Sequence, residues 1–409
     1  MFCWCSIFTE DNTYGYHSTN KPPLHSKQSG LFLNGSASST CNLKGNFIMA
    51  TLYGNNDYNK IYAGNNDAVF AQGGDDVVIL NGSNAYIEAG SGNDQLYISG
   101  NNTTMFGGDG SDYMQIAGDG NRVWVTFQET GNDTLFVQGN YNQLNDSQGN
   151  GTATIYGQWN GYAGWGGNDK ITVYGERNEI FGDKSAYYAP GPNTVGSDTI
   201  TVFGKYNLLH GGGGNDAIIV NGVGNNLYGD AGFDKLTVNG DSNNVLFTGS
   251  VADFDVVKVN GGRNYIQATT ADVVHVSGFN NTIDLVGFTG ANAGTLTAYQ
   301  TPNTGLSNTL IIENNHQDIV FLRQGNNLVI GFDDQAGQLT VVNQFAGSGY
   351  GIAALKANDG FFLSAADLVN VTKALSAYDA ATASVTFNSV AAIKASAFAE
   401  TLIDHAFHV

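Results

Sequence analysis

Apolar residues in this chain come in pairs two positions apart, and the pairs recur at a spacing near 18 residues. They are Val78 and Leu80, Leu96 and Ile98, Met114 and Ile116, Leu135 and Val137, Ile171 and Val173, Ile200 and Val202, Ile218 and Val220, Leu236 and Val238, Val257 and Val259, and Val274 and Val276. Residues two apart point to one face of a strand. Single apolar positions fall between the pairs, at Val123, Leu144, Ile180, Leu209, Leu227, Val245, Ile266 and Ile283, and they supply an opposite wall. Thr, Tyr, Gln and Lys occupy the alternate positions and are expected to face water. The pattern predicts a strand, a turn, a second strand and a turn, wound in parallel with aliphatic ladders inside.

The turns repeat in the same register. One series carries Asp57, Asp76, Asp94, Asp112, Asp133, Asp169, Asp198, Asp216, Asp234, Asp255 and Asp272, with Gly151 standing where one further aspartate is due. Eight or nine residues after each comes an asparagine: Asn66, Asn84, Asn102, Asn121, Asn142, Asn160, Asn178, Asn207, Asn225, Asn243, Asn264 and Asn281. The expected fold is all-β, a parallel β-roll or β-helix solenoid of about twelve 18-residue coils over residues 49–290. A small β domain over 291–371 is expected to cap it, followed by a distinct C-terminal region, 372–409.

Composition sharpens this. The chain has 55 glycines but only 5 prolines, which suits many tight turns. All three cysteines, Cys3, Cys5 and Cys41, precede Met49. Residues 1–48 lack the repeat and are expected to be a disordered or non-native extension, with translation reading naturally from Met49. Without them the charge is 13 basic against 34 acidic residues, or −21. That balance argues against nucleic acid or anionic lipid as partners and suits a cation. No apolar run approaches the roughly 20 residues of a membrane-spanning helix.

The aspartate turns read "GGDGSDYMQ" (107–115), "GGGGNDAII" (211–219), "AGSGNDQLY" (89–97) and "GDAGFDKLT" (229–237), with "GWGGNDKIT" (164–172) and "AQGGDDVVI" (71–79) close to them. They resemble the nonapeptide of the RTX, or haemolysin-type, calcium-binding repeat family, in which glycines and one aspartate precede a large aliphatic residue. Glycines turn backbone carbonyls toward one point, the aspartate adds a hard oxygen, and the next coil supplies more. Several Ca2+ ions are expected. The candidate ligand residues are Asp76, Asp94, Asp112, Asp133, Asp169, Asp198, Asp216 and Asp234, with Gly92, Gly110, Gly167, Gly214 and Gly232 shaping the turns. Stacked carboxylates about 5 Å apart repel by roughly 1 kcal/mol even in water, so an ion row favours folding.

A regular roll of this family carries aspartate at every turn. Here aspartate and asparagine turns alternate, with "GNND" (64–67) as the exception. That predicts one main ion row, thinning toward Asp255 and Asp272, and an asparagine ladder on the opposite edge. The alternative is a calcium-free solenoid whose Asp and Asn side chains only satisfy turns.

The C-terminal stretches "GNNLVIGF", "QLTVVNQF" and "KANDGFFLSAADL" resemble the domain that follows such repeats in type I secreted proteins. Residues 372–409 resemble an uncleaved export signal. The resemblance implies passage through a type I transporter and a secreted or cell-surface location. Neither HExxH nor GxSxG occurs, no catalytic residue is expected, and the chain is read as a non-enzyme. A structural or binding role follows, with extracellular polysaccharide a further candidate partner through an insertion at 182–196 that holds Tyr187 and Tyr188. A polysaccharide-acting enzyme is the third reading, and Asp253, Lys258, Arg263 and His275 are its only candidate cluster.

Overall fold

The structure is a computed structural model that describes residues 30–32, 40–41, 49–124, 131–183, 195–246, 254–269, 271–286, 293–299, 307–332, 335–347, 350–382 and 387–409. The insertion's tyrosines and Asp253 lie outside them. Two compact units divide at Glu179 and Ile180. The first winds seven coils, whose paired-apolar strands are Lys60–Ala63, Val77–Asn81, Gln95–Ser99, Tyr113–Ala117, Thr134–Gln138, Thr152–Gln158 and Lys170–Glu176. The second winds five, through Thr199–Lys205, Ala217–Val223, Lys235–Asn239, Val256–Asn260 and Val273–Ser277. The expected parallel solenoid is therefore present, with the expected number of coils.

Register explains the burial. Leu96 sits between Val78 and Met114, and Ile98 between Leu80 and Ile116, in unbroken parallel pairing. Ile87, Met105, Val123, Leu144 and Tyr162 form the facing ladder, and every one of these side chains is buried. The alternate positions build outer stacks. Tyr53, Phe70, Tyr86 and Phe106 follow one another with ring centroids 5.5–5.6 Å apart.

Two early registers differ from the sequence expectation. In the first coil Ile61 pairs with Val78, so Asn59, not Asp57, stands in line with Asp76. Asn66, Asn84 and Asn102 have φ of +61°, +60° and +55°; they are turn residues, because asparagine tolerates this left-handed region. The true asparagine-edge positions beside them are Asp67, Ala85 and Thr103, one residue on, and the ladder of asparagines begins at Asn121. The shift is legible as the eight-residue spacing at Asn84 and Asn102, where the later coils have nine.

Parallel pairing continues past the repeats. Ala293–Tyr299 joins the strand of Val273 and then Gln335–Val342, while Thr309–Ile312 joins Thr282–Leu285 and Ala354–Ala357. Antiparallel hairpins of Ile319–Gln324 with Asn327–Phe332, and of Ala354–Ala357 with Phe362–Ser364, close this end. Helices Ala365–Thr382, Val390–Lys394 and Ala397–Asp404 follow. They bury Leu368, Ile393 and Ile403, and the chain end is tied to the hairpin by two backbone bonds between His408 and Phe362. Gly30–Phe32 pairs with Thr51–Tyr53 ahead of the first coil. Among the described residues no helix is long and apolar enough to cross a membrane.

Close stacking of coils sets the demand for glycine. Gly110 has φ +133°, and a Cβ there would lie 1.9 Å from the carbonyl oxygen of Gly92 in the coil before. Gly110→Ala is expected to lower unfolding free energy by about 3 kcal/mol, combining overpacking with left-handed strain. Gly161→Ala, whose Cβ would meet nothing within 4 Å, is expected to change it by less than about 0.5 kcal/mol. Denaturant melts of both variants check the contrast, and equal effects would show that coil spacing does not depend on these glycines.

Candidate metal centre

Each aspartate position ends a turn just before a paired-apolar strand, which fixes its carboxyl inside the turn. Asp76, Asp94, Asp112, Asp133, Asp169, Asp198, Asp216 and Asp234 are all 1–2% exposed. In seven of these, from Asp76 to Asp169 and at Asp216 and Asp234, one carboxylate oxygen serves the backbone. The amide of Asn59 donates to Oδ1 of Asp76, that of Asp76 to Asp94, that of Asp94 to Asp112, and that of Asp112 to Asp133, at 2.6–2.9 Å. In the second unit Asp198 donates to Asp216, Asp216 to Asp234, Asp234 to Asp255 and Asp255 to Asp272. Structure thus places the sequence-predicted aspartates in ordered rows, one in each unit.

The second oxygens are the unusual part. Oδ2 of Asp76, Asp94 and Asp216 is buried without a hydrogen-bond donor. Oδ2 of Asp216 faces the first glycine of its turn. A Cβ on Gly211 would lie 2.4 Å from Oδ2 of Asp216 and 2.5 Å from the carbonyl oxygen of Gly229, so oxygens of two successive coils converge on one point. Gly92, Gly110, Gly167, Gly214 and Gly232 all have positive φ, and each would drive a Cβ into the carbonyl of a glycine one coil away.

The opposite edge supplies the comparison. There Asn142 donates its backbone amide to Oδ1 of Asn160, and Asn225 to Asn243. The second side-chain atom is an amide nitrogen, and it donates in turn. Asn121, Asn160, Asn225 and Asn243 reach the carbonyls of Gly100, Gly139, Gly204 and Gly222 at 3.0–3.2 Å. The two edges share a backbone solution and differ in that atom. On the asparagine edge it closes the network; on the aspartate edge an acceptor is left among acceptors, a cost of several kcal/mol for a buried ion.

Among the described residues no three His, Cys, Asp or Glu side chains gather into a metal-binding group. One carboxylate per coil beside backbone carbonyls is instead a hard-oxygen set, which suits calcium and lacks the His and Cys ligands that structural zinc sites favour. Residues that could hold such an ion are the aspartates of the row and the carbonyls of their glycine turns. The row closes at its far end, because Oδ2 of Asp272 accepts from the amide and hydroxyl of Thr269.

Sequence reasoning missed three features. An outer ladder runs one residue before each aspartate: Asn93 donates to Asp75, Ser111 to Asn93, Asn132 to Ser111, and Asn150 to Asn132. The run of Asp, Asn and Ser at these places, which ends at Phe233 and Phe254, was its signal. Asp183, beside the insertion, is 4% exposed; its Oδ2 accepts from Gly196 and Gly213 while Oδ1 has no donor. The turn of Gly151, read as lacking its carboxylate, contains the buried carboxyl of Asp146. Of the residues considered for catalysis, Lys258 and His275 are cross-strand neighbours in a depression of about 270 Å³. Arg263 is instead paired with Asp241 at 2.8 Å. No protein-family model matches this chain, and no curated protein sequence matches it, so the reading rests on its own residues.

Burial pushes these carboxyls upward. Asp76 rises to about 7 and Asp94 to about 6, with neighbouring carboxylates adding to the effect. Asp216 rises to about 8, again mainly by burial, with Asp198, Asp234 and Asp183 adding repulsion. A carboxyl whose pKa is raised on folding stabilises the fold fully below its unfolded value, near 3.9. That contribution declines as pH rises and is gone once pH passes the folded value. The cation-free protein is therefore expected to melt progressively lower from about pH 4 through pH 6 to 8. Thermal melts in chelator check this, and a melting temperature that rises over that window would show that the row is already neutralised by other means.

Proposed function

We propose that this protein is a secreted calcium-binding solenoid that folds on meeting extracellular calcium and serves a structural or binding role at a cell surface or in a matrix. The observation that carries the reading is the second carboxylate oxygen of Asp76, Asp94 and Asp216, buried without a donor where the asparagine edge has an amide. A cation shared between this oxygen and glycine carbonyls does for one edge what Nδ2 does for the other. Extracellular calcium sites of 10⁻⁴–10⁻³ M affinity remain empty at cytosolic calcium and fill outside, so ion binding becomes folding free energy. Export through a type I transporter before folding fits that order of events. The reading is of a non-catalytic protein.

A polysaccharide-binding role has one supporting observation. Tyr141 and Trp159 are exposed and parallel, with centroids 6.5 Å apart and planes at 4°, and the Arg177 guanidinium lies over Trp159. Flat exposed aromatic faces suit sugar rings.

The test is calcium titration of the chelated protein, followed by far-UV circular dichroism and melting. Calcium is expected to raise β-structure or melting temperature cooperatively, and magnesium at equal concentration is not. Identical melts with and without calcium would leave the carboxylates as turn chemistry alone. Asp216→Asn gives the row one amide of the kind found opposite. It is expected to melt higher than the parent without calcium, by about 1–3 kcal/mol of removed penalty, and to bind fewer ions. A variant that melts lower in chelator would contradict the atom-for-atom comparison of the two edges.

A further inference from the structure

The turn 146–151 reads Asp-Ser-Gln-Gly-Asn-Gly, where the repeat has glycine first and aspartate sixth. Strand register shows that this is an exchange and not a loss. Met105, Val123, Leu144 and Tyr162 are successive partners, so Asp146, two residues after Leu144, holds the place of Gly107, two after Met105. Gly211 and Gly229 stand likewise two residues after Leu209 and Leu227, which are partners. At the other end of the turn, Thr134 pairs with Thr152, which aligns Gly151 with Asp133.

The two arrangements are mirror solutions to one packing problem. In the regular coil a Cβ on Gly107 would lie 2.2 Å from Oδ2 of Asp112; in the exchanged coil a Cβ on Gly151 would lie 2.0 Å from Oδ2 of Asp146. The carboxylate enters the same interior space from the first position of the turn, and glycine at the sixth makes room for it. Asp146 is 1% exposed. Its Oδ1 accepts from the amide of Ser147 and its Oδ2 from the hydroxyl of Tyr162, at 2.6 Å. Tyr162 replaces an aliphatic residue of the inner wall and is itself buried. One donor per oxygen leaves each with a lone pair. Beside it, Asp133, also 1% exposed, keeps an Oδ2 with no hydrogen-bond donor, and burial, with the charge of Asp133 added, raises the cost of ionising Asp146.

We propose that the turn Asp146–Gly151 is a further divalent-cation site of the row, with Asp146 and Asp133 as its carboxylate ligands and Tyr162 as the residue that positions Asp146. The proposal rests on the calcium reading above. It makes the row continuous where the repeat pattern predicts a gap.

Bound Ca2+ is to be counted by equilibrium dialysis and atomic emission on the full chain, on Asp146→Asn, and on the double variant Asp146→Gly with Gly151→Asp, which restores the regular turn. Asp146→Asn is expected to bind one ion fewer than the parent, and the double variant the same number as the parent. An unchanged count in Asp146→Asn would overturn the site and leave Asp146 holding a proton. Should Asp146→Asn not fold, the double variant decides alone: an equal count supports the site, and one ion more than the parent overturns it. A parent chain that binds no calcium overturns the calcium reading itself, a result distinct from both.

Discussion

Everything in this molecule depends on coils being held one strand spacing apart by parallel backbone pairing. That spacing brings each turn against the same turn of the next coil, so every turn amide must find its acceptor there and every side chain meets its own kind. At such distances a Cβ is often too much, which explains the glycines, and a single atom decides whether an edge is self-sufficient. Nδ2 of asparagine can donate to a neighbouring carbonyl. Oδ2 of an ionised aspartate cannot. The chemistry proposed for the protein is a consequence of that substitution repeated along one edge.

Much of the fold was legible because the structure is nearly one-dimensional. A period of 18 with apolar residues two apart allows few other foldings, and the inner walls of Val78, Leu80 and Val123 follow directly from it. The first coils were harder to place. Asp57 and Asn102 have the right residue types one or two positions away from the ladder, and only hydrogen-bond register, set by Ile61 against Val78, separates a ladder residue from a turn residue. The outer ladder through Asn93 and Ser111 left only a faint trace for a different reason. Any small polar residue serves there, so no single letter repeats.

The candidate site was legible as a set of residues but not as an environment. Sequence showed that Asp76 and Asp216 recur; it did not show that their second oxygens are enclosed, since enclosure comes from the stacking of turns, as at Gly211 and Gly229 beside Asp216. Asp146 shows the limit most clearly. A search for aspartate at the sixth place finds glycine and scores a loss, whereas the space itself is indifferent to which end of the turn supplies the carboxylate.

The inner and outer ladders run in opposite senses: an inner carboxylate accepts from the coil before it, and an outer Asn, Ser or Asp from the coil after it. Every coil is therefore a link that completes both neighbours and is completed by both. Injury at an end shortens such a stack by one link, while injury in the middle leaves two raw faces where there were none. The cost of a defect in each unit is thus set by where it falls, as in a chain under tension, more than by how much it disturbs its own coil.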